Sequence, residues 1–255
     1  MPLNTVLVAG ASGLVGSAAI EHFSTLAGWR VIALSRRKPA LPPGVNYLQA
    51  DLCDPQSCRA AASNAGDVTH LVFAALYEKP DLVAGWRDHE QMQVNLSMLR
   101  NLLDALEPAA GGLRHITLLQ GTKAYGSHVE PVRNPAKERW TRHPHENFYW
   151  LQEDLLRERQ PARRWSFTIL RPQVILGDAV GSPMNVVAAV GAYAALTREF
   201  GCCRRDGAPR THTPAWERVE SRVGLSAPCR CRRGEKPLSA DVVRKIVGEE
   251  RAASS

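Results

Sequence analysis

Short apolar runs alternate with longer amphipathic segments along the first two hundred residues of the chain. The runs are typical of buried parallel strands, and the segments between them have the spacing of helices packed against a sheet. Strands are predicted at Val6–Val8, Arg30–Leu34, Tyr47–Leu52, His70–Ala75, His115–Leu119 and Trp165–Leu170. Helices are predicted at Ser17–Leu26, Pro55–Ala65, Asp88–Leu106, Asn147–Arg159 and from Asn185 to about Phe200. This alternation predicts an α/β fold of Rossmann type, a doubly wound parallel sheet with right-handed crossovers.

Three glycines follow the first predicted strand at three-residue spacing and lead into the first predicted helix. Glycines let the chain turn sharply and let a pyrophosphate approach without meeting a Cβ, and the helix N-terminus offers N–H groups to that anion. A glycine-rich turn that binds nothing is the alternative, but the position between first strand and first helix favours a dinucleotide. The residues assigned to the cofactor at this turn are Gly10, Ser12, Gly13, Leu14, Val15 and Gly16.

The second predicted strand ends in a basic turn, where such a cofactor would place its adenosine ribose. An acidic residue here would bind the 2′-hydroxyl of NAD, whereas arginines suit the 2′-phosphate of NADP. Arg36 and Arg37 therefore favour NADP(H), and the alternative is a solvated basic turn. Asp51, at the end of the third strand, is placed to hold the adenine amino group. The residues assigned to the adenosine half are Ser35, Arg36, Arg37, Asp51 and Leu52.

The fifth predicted strand runs into a polar segment, residues 120–126, at the carboxyl edge where open α/β sheets bind ligands. Lys123 lies in this segment. The long helix that precedes this strand carries Asn95 on its otherwise apolar face. Two interpretations of Asn95 stay open: an ordinary surface amide, or a buried amide that ties the helix to the active-site strand.

Composition and charge limit the classes of function. An apolar fraction of 44% is ample for a core, and most of the net charge of +7 lies after residue 200, so the folded part gives no indication of nucleic-acid binding. The N-terminus has no signal-peptide pattern and no apolar stretch could span a bilayer, so we expect a cytoplasmic protein without a membrane partner. The cysteines lack zinc-ligand spacing, and no metal site is expected.

Four motifs carry a resemblance to a known family: Gly10–Gly16, Gln120-Gly-Thr-Lys123, Asn147-Phe-Tyr149 with Glu153-Asp154, and Arg171-Pro-x-x-Ile-x-Gly177. Together they resemble the extended short-chain dehydrogenases/reductases, and more closely the progesterone 5β-reductase and iridoid synthase-like enone reductases. Ordinary members of the superfamily place a lysine four residues after the catalytic tyrosine, whereas this chain has Glu153 at that position. The resemblance covers about residues 5–200.

The resemblance implies that Lys123 and Tyr149 are the catalytic pair, that Tyr149 and Ile175 also contact the cofactor, and that the cofactor is NADP(H). Physical chemistry supports the pair, because a phenol titrates at about pH 10 and a nearby ammonium favours its ionised form or strengthens its hydrogen bonding. A hydroxyl aimed at the substrate carbonyl would stabilise the enolate that forms when hydride reaches the β-carbon of an enone. Taken singly, a packed aromatic residue and a surface lysine are the simpler interpretations; their joint occurrence favours catalysis.

The expected activity is NADPH-dependent 1,4-reduction of the activated C=C bond of a small enone. Reduction of a carbonyl, or an NAD-dependent epimerase or dehydratase reaction, is the first alternative, although the displaced lysine argues against the epimerase. A catalytically inactive NADP-binding protein is the second alternative. The expected partner is a small enone or carbonyl compound, and a homodimer stays open.

The resemblance stops near Phe200, so we expect an NADP-binding domain at residues 1–200 and a separate tail at residues 201–255. The tail is rich in Arg and Cys and has little hydrophobic periodicity, so it is expected to be disordered as far as about Leu238. The part that closes over the substrate in the family is then truncated or replaced, through a frameshift, splice or gene-model disruption. A genuine appendix that binds nucleic acid is the rival hypothesis.

Overall fold

Six strands and five helices are described in the computed structural model, which covers residues 4–79, 85–173, 175–177 and 186–199. The strands are β1 (Asn4–Ala9), β2 (Trp29–Ser35), β3 (Asn46–Gln49), β4 (His70–Phe73), β5 (His115–Leu119) and β6 (Ser166–Leu170). The helices are α1 (Leu14–Thr25), α2 (Pro55–Ala62), α3 (His89–Ala109), α4 (Phe148–Arg159) and α5 (Val186–Glu199), with short 3-10 turns at Thr122–Tyr125 and Gln160–Ala162.

The strands form one sheet in the order β3-β2-β1-β4-β5-β6, and every neighbouring pair is parallel. Leu7 of β1 lies opposite Ile32 of β2 on one side and Leu71 of β4 on the other. The strand order reverses between β1 and β4, and open α/β sheets bind their ligands outside the carboxyl ends of the strands at this point. The doubly wound parallel sheet predicted from the alternating pattern is confirmed.

Alternate residues of the strands supply two cores, one on each face of the sheet. Leu7 contributes to the larger core, where α2, α3 and α4 pack, and Val6 and Val8 contribute to the smaller core with Ile20 of α1. Fully buried side chains of the larger core include Leu71, Phe73, Leu99, Leu102, Leu103, Leu106 and Ile116. Burial on both faces explains why β1, β2 and β4 have continuous apolar runs, whereas burial alternates along β5 and β6.

Several predicted boundaries differ from the structure by two or three residues, and two of these differences have a local explanation. β3 ends at Gln49 rather than Leu52, because Asp51 turns the chain by accepting a hydrogen bond from the Cys53 N–H at 2.9 Å. α3 continues to Ala109, beyond the predicted end at Leu106. Pro108 is tolerated near that end, where the helix stops before the two glycines that follow.

The chain divides into two units, Met1–Met184 and Asn185–Ser255, and α5 is the part of the second unit that is described. The predicted tail after residue 200 lies outside the described residues, so the proposed domain boundary stays a prediction. No helix within the described ranges is both long and apolar enough to cross a membrane. The described residues also contain no cluster of three or more His, Cys, Asp or Glu side chains suited to a metal ion.

Candidate active site

The glycine-rich turn after β1 closes tightly against its neighbours at two of its three glycines. Gly10 has a φ of 89°, and a Cβ there would lie 2.7 Å from the backbone carbon of Ala74 after β4. A Cβ at Gly16 would overlap the carbonyl oxygen of Gly10, so only glycine lets α1 pack this close to the turn. A Cβ at Gly13 would make just one ordinary contact, at 3.4 Å. Gly13 therefore faces open space, as the approach of a pyrophosphate requires.

The start of α1 lacks the side-chain cap that the next three helices have. Asp54, Asp88 and Asn147 each accept a hydrogen bond from a backbone N–H in the first turn of α2, α3 and α4. The N-cap of α1 is Gly13, which offers no side chain, and the first turn holds no acidic residue. The adjoining Ser12 is exposed. These groups fit the phosphates of a dinucleotide, since the N–H groups of a helix N-terminus bind anions.

The two arginines of the predicted adenosine site, Arg36 and Arg37, are exposed beside the end of β2. Neither guanidinium pairs with a carboxylate in the part of the chain that the structure describes. Ser35 is buried, and its hydroxyl donates to the Arg37 carbonyl at 2.7 Å, which shapes the turn. The arginines are therefore presented by a hydrogen-bonded turn and are free to meet a phosphate.

The other predicted cofactor residues differ in what they can offer. Asp51 is exposed, and one carboxylate oxygen is used by the Cys53 N–H. Leu52 packs its side chain into the larger core, so only its backbone could face a ligand. Ile175 is half-buried, and two residues later Gly177 approaches the side chain of Leu14. The stretch after β6 therefore returns to the glycine-rich turn.

The predicted catalytic pair meets at a buried tryptophan. The Lys123 ammonium lies 3.7 Å from the ring centroid of Trp86, and the Tyr149 ring is 5.3 Å from the same ring. Within the described residues, Lys123 Nζ has no hydrogen-bond or ion-pair partner and rests on the aromatic face. The Trp86 indole N–H donates to Glu78 Oε1 at 3.0 Å. Two predicted residues thus come together around a third that the sequence analysis missed.

Burial sets the protonation of both members of the pair. Burial lowers the pKa of Lys123, and the negative charge of Glu78 partly opposes this effect. Burial also raises the pKa of Tyr149 well above its ordinary value, and Glu78 acts in the same direction. Of the two effects expected of the nearby ammonium, this raised pKa does not favour ionisation of Tyr149, and stronger hydrogen bonding stays a prediction. Tyr149 is a neutral hydroxyl, able to donate a hydrogen bond.

Asn147 orients both sides of the pair with one side-chain amide. Its Oδ1 accepts from the Tyr149 N–H at 3.0 Å and caps α4, while its Nδ2 donates to the Lys123 carbonyl at 2.9 Å. Asn147 is buried, where an unmade hydrogen bond costs about 1–3 kcal/mol. The amide therefore fixes the start of the helix that carries the tyrosine to the 3-10 turn that carries the lysine.

Asn95 is a buried amide, so the surface interpretation is wrong. Its side chain bonds both the N–H and the carbonyl of Tyr77 at 2.9 and 2.8 Å, and its own carbonyl accepts from Gln152. The hydrogen bonds of the Asn95 side chain thus connect its helix to the segment after β4 rather than to β5. That segment leads to Glu78, so Asn95 supports the carboxylate that Trp86 contacts.

A cleft of about 1360 Å³ lies beside the pair but does not include it. Its walls are the outer part of β6, the segment that follows the 3-10 turn, and one side of α4. Representative wall residues are Tyr125, Trp140, Trp150, Glu153, Phe167 and Arg171. Neither Lys123 nor Tyr149 is among its lining residues. This cleft is therefore distinct from the predicted catalytic pair.

The sheet order, the glycine-rich turn and the carboxyl-edge site define a Rossmann-like protein of the short-chain dehydrogenase/reductase class. Residues 6–200 match the NAD dependent epimerase/dehydratase family. The chain belongs to that family, whose members are nucleotide-dependent oxidoreductases and epimerase-like enzymes.

The chain is similar to several characterised relatives over most of its length. It is 34% identical over 210 residues to a short chain dehydrogenase of Penicillium aethiopicum, which covers 77% of this chain and 54% of the relative. It is 32% identical over 219 residues to a 3-oxo-Delta(4,5)-steroid 5-beta-reductase of Arabidopsis thaliana, with 81% and 53% covered. An (S)-8-oxocitronellyl enol synthase of Catharanthus roseus is 30% identical, with 76% and 51% covered. The chain therefore spans about half the length of these relatives.

Solved structures agree on the fold. A UDP-glucose 4-epimerase superposes with a TM-score of 0.61 at 18% identity, covering 77% of this chain and 62% of the epimerase chain. The Bifidobacterium longum UDP-glucose 4-epimerase, solved with NAD+ and UDP, gives a TM-score of 0.59 at 19% identity, covering 75% and 62%. At this level of sequence identity, the structural similarity shows the fold and gives no information about the substrate.

Proposed function

We propose that the chain is an NADPH-dependent reductase of C=C bonds conjugated to a carbonyl group. The observation that carries the proposal is the convergence of Lys123 and Tyr149 on Trp86, with Asn147 holding the backbones of both. The similarity to a steroid 5-beta-reductase and to enol synthases supports the choice of reaction. The match spans about half the length of each relative, so the substrate class is proposed from the chemistry of the pair.

In this proposal Tyr149 stabilises the negative charge that develops on the substrate oxygen. NADPH, held by the glycine-rich turn with Arg36 and Arg37, would supply the hydride that the β-carbon receives. The π electrons of the C=C bond then form an enolate, which takes a proton at its α-carbon from water. The neutral Tyr149 hydroxyl donates a hydrogen bond to the enolate oxygen, and the Lys123 ammonium adds positive charge nearby. Burial of the pair strengthens both effects.

The preference for NADPH rests on Arg36 and Arg37. Both are exposed and without carboxylate partners among the described residues, in the place where NAD-binding proteins carry an acidic side chain. A 2′-phosphate would accept charge-assisted hydrogen bonds from them.

A Tyr149→Phe variant tests the reaction. Turnover of a cyclic enone should fall by about 10²–10³-fold because the donor is lost, and the affinity for NADPH should not change. The measurements are steady-state oxidation of NADPH, with the product identified, and a fluorescence titration of the cofactor. Tyr77→Phe is the matched control and should retain parental turnover. Full turnover in Tyr149→Phe would remove the proposed role of the hydroxyl.

One observation favours a catalytically inactive NADP-binding protein as the second candidate. Lys123 Nζ lies on the face of Trp86 and, in the described ranges, makes no hydrogen bond to the Tyr149 hydroxyl. A protein of this kind would bind NADPH and oxidise it with neither a cyclic enone nor an aldehyde. Reduction of the aldehyde alone would instead identify a carbonyl reductase.

A further inference from the structure

The side chain of Glu153 is buried among three arginines. Its carboxylate is only 4% exposed and contacts Arg142 at 3.1 Å, Arg157 at 2.8 Å and Arg171 at 2.9 Å. Burial alone would raise the pKa of Glu153, but hydrogen bonds from Arg157 and Arg142 hold it below its usual range. A buried charge of this kind persists only when it is well paired. The three arginines therefore hold the side chain of Glu153 as a charged carboxylate in a fixed position.

One of the three arginines continues the contact toward the catalytic pair. Arg171 is 16% exposed and donates through Nη2 to Glu153 and through Nε to Gln120 Oε1, at 2.9 and 2.8 Å. Gln120 Nε2 in turn donates to the Tyr149 carbonyl at 2.9 Å. Tyr149 and Glu153 are four residues apart on α4, so they lie one above the other on one face. The four residues close a ring that joins the ends of β5 and β6 to α4.

The same ring reaches the turn that carries Lys123. Gln120 directly precedes Gly121, and a Cβ on Gly121 would lie 3.4 Å from the Tyr149 hydroxyl. The Arg171 guanidinium lies 5.3 Å from the ring of Tyr125, on the same 3-10 turn as Lys123. The separation of Tyr149 and Lys123 is thus set from the side of Gln120 and Arg171 as well as from the side of Asn147.

We propose that Glu153 is a positioning residue, whose carboxylate acts through Arg171 and Gln120 to hold Tyr149 in place relative to Lys123. The inference rests on the proposed function, because it takes Tyr149 to be the hydrogen-bond donor. Arg157 and Arg142 are more exposed than Arg171, and ion pairs of exposed side chains contribute little to stability. Arg171 is the partner through which Glu153 acts.

The decisive variants are Glu153→Gln and Arg171→Lys. The first removes the charge with little change of shape. The second keeps the charge but removes the planar fork that contacts Glu153 and Gln120 together. Both should lower kcat for a cyclic enone by about 10²-fold with little change in KM, since small misplacements of reacting groups have effects of this size. Asp154→Asn is the matched control, because Asp154 is the next residue, is exposed and also pairs with Arg142.

A background variant separates positioning from general damage to the fold. In Tyr149→Phe, adding Glu153→Gln should cause no further loss of turnover, because the group that it positions is already gone. A further full loss in the double variant would show that Glu153 acts elsewhere and would overturn the inference. Loss of turnover in Tyr149→Phe with parental turnover in Glu153→Gln would overturn the inference alone and leave the proposed function standing.

A measurement that does not depend on turnover tests whether Glu153 and Arg171 position Tyr149. Fluorotyrosine is incorporated into the whole chain, and the ¹⁹F signal of Tyr149 is identified by its absence from Tyr149→Phe. The signal should shift or split in Glu153→Gln and Arg171→Lys and stay in place in Asp154→Asn. An unmoved signal in both test variants would overturn the inference, whether or not the chain reduces an enone. A moved signal with no enone turnover in the parent would support the positioning role and contradict the proposed reaction.

Discussion

Two exposed arginines at the end of β2 are the residues with the most direct consequence for the cofactor. Replacing Arg36 and Arg37 with alanine should weaken NADPH binding by about 1.5–3 kcal/mol for each charge-assisted hydrogen bond lost. NADH has no 2′-phosphate, so its affinity should change little. Fluorescence titrations with both cofactors measure the difference, and Arg59→Ala, an exposed arginine of α2, is the control. Equal affinities of the parent protein for NADPH and NADH would contradict the preference.

The lowered pKa of His128 predicts that the protein loses stability in mild acid. Burial, followed by the positive charges of His145, Lys123, Arg87 and His143, lowers the pKa of His128 from 6.5 to about 4. The unfolded chain takes up a proton below pH 6.5, whereas the folded chain takes it up only below about pH 4. Protonation of this histidine therefore adds nothing to the pH dependence of stability above pH 6.5, and between the two values it lowers the free energy of unfolding as the pH falls.

The measurement is chemical denaturation at several pH values from 7.5 to about 4. The parent should lose stability across this range, and His128→Asn should lose less, so the difference between the two proteins shrinks as the pH falls. His22→Asn changes an exposed histidine of α1 and should keep the parental pH dependence. A parental slope in His128→Asn would show that its protonation is not coupled to folding.

At single residues, sequence reasoning identified the chemistry but not the contacts. Lys123 and Tyr149 stand in recognisable motifs, whereas Trp86 is an isolated aromatic residue with no pattern around it. Asn95 left two interpretations open, because periodicity does not say what a buried amide bonds to. The contact between Glu153 and Arg171 joins a helix to a strand end, and only the tertiary arrangement reveals it.

Among the elements, the turn between β1 and α1 is the most sensitive to a single methyl group. Gly16→Ala places a Cβ on the Gly10 carbonyl oxygen, so α1 must move away from the turn. Overpacking of this kind destabilises a protein by about 1–3 kcal/mol, and the displaced helix N-terminus should also lose affinity for the cofactor. Thermal unfolding and an NADPH titration are the measurements.

The control for this variant is Gly112→Ala, since a Cβ at Gly112 meets nothing within 4 Å. It should unfold at or near the parental temperature and bind NADPH with parental affinity. Parental behaviour of Gly16→Ala itself would mean that the turn has room that the packing at Gly10 does not show.

Elements with a strong apolar pattern were the most predictable part of the fold. Each of the six strands was located, and β1, β2 and β4 have the clearest pattern, because a strand buried on both faces is apolar over most of its length. The end of β3 was missed, since the turn made by the Asp51 carboxylate interrupts a run that still reads as a strand. The end of α3 was missed because the apolar pattern stops at Leu106, whereas the helix continues to Ala109.

For the whole molecule, every residue assigned to the cofactor lies between Gly10 and Ile175. A chain from which residues 201–255 are deleted should therefore bind NADPH with the affinity of the full chain. Titrations of the two proteins side by side measure this, and circular dichroism confirms that the shortened chain is folded. A large loss of affinity would show that the deleted segment contributes to the cofactor site.

Family membership was also predictable at this scale, because the four motifs are distributed over most of the matched region. The substrate was not predictable in the same way. The chain spans about half the length of its relatives, and the described residues place the predicted catalytic pair beside a cleft rather than within it.

The bare start of α1, as the proposed phosphate site, would couple folding to the amount of cofactor in solution. A side-chain cap contributes about 1 kcal/mol to a helix, and α1 lacks this contribution while α2, α3 and α4 have it. A bound phosphate would supply the missing partner only in the folded chain. By mass action, free cofactor at a hundred times its dissociation constant adds about 2.7 kcal/mol. The concentration of NADP(H) would then determine the temperature at which the protein unfolds.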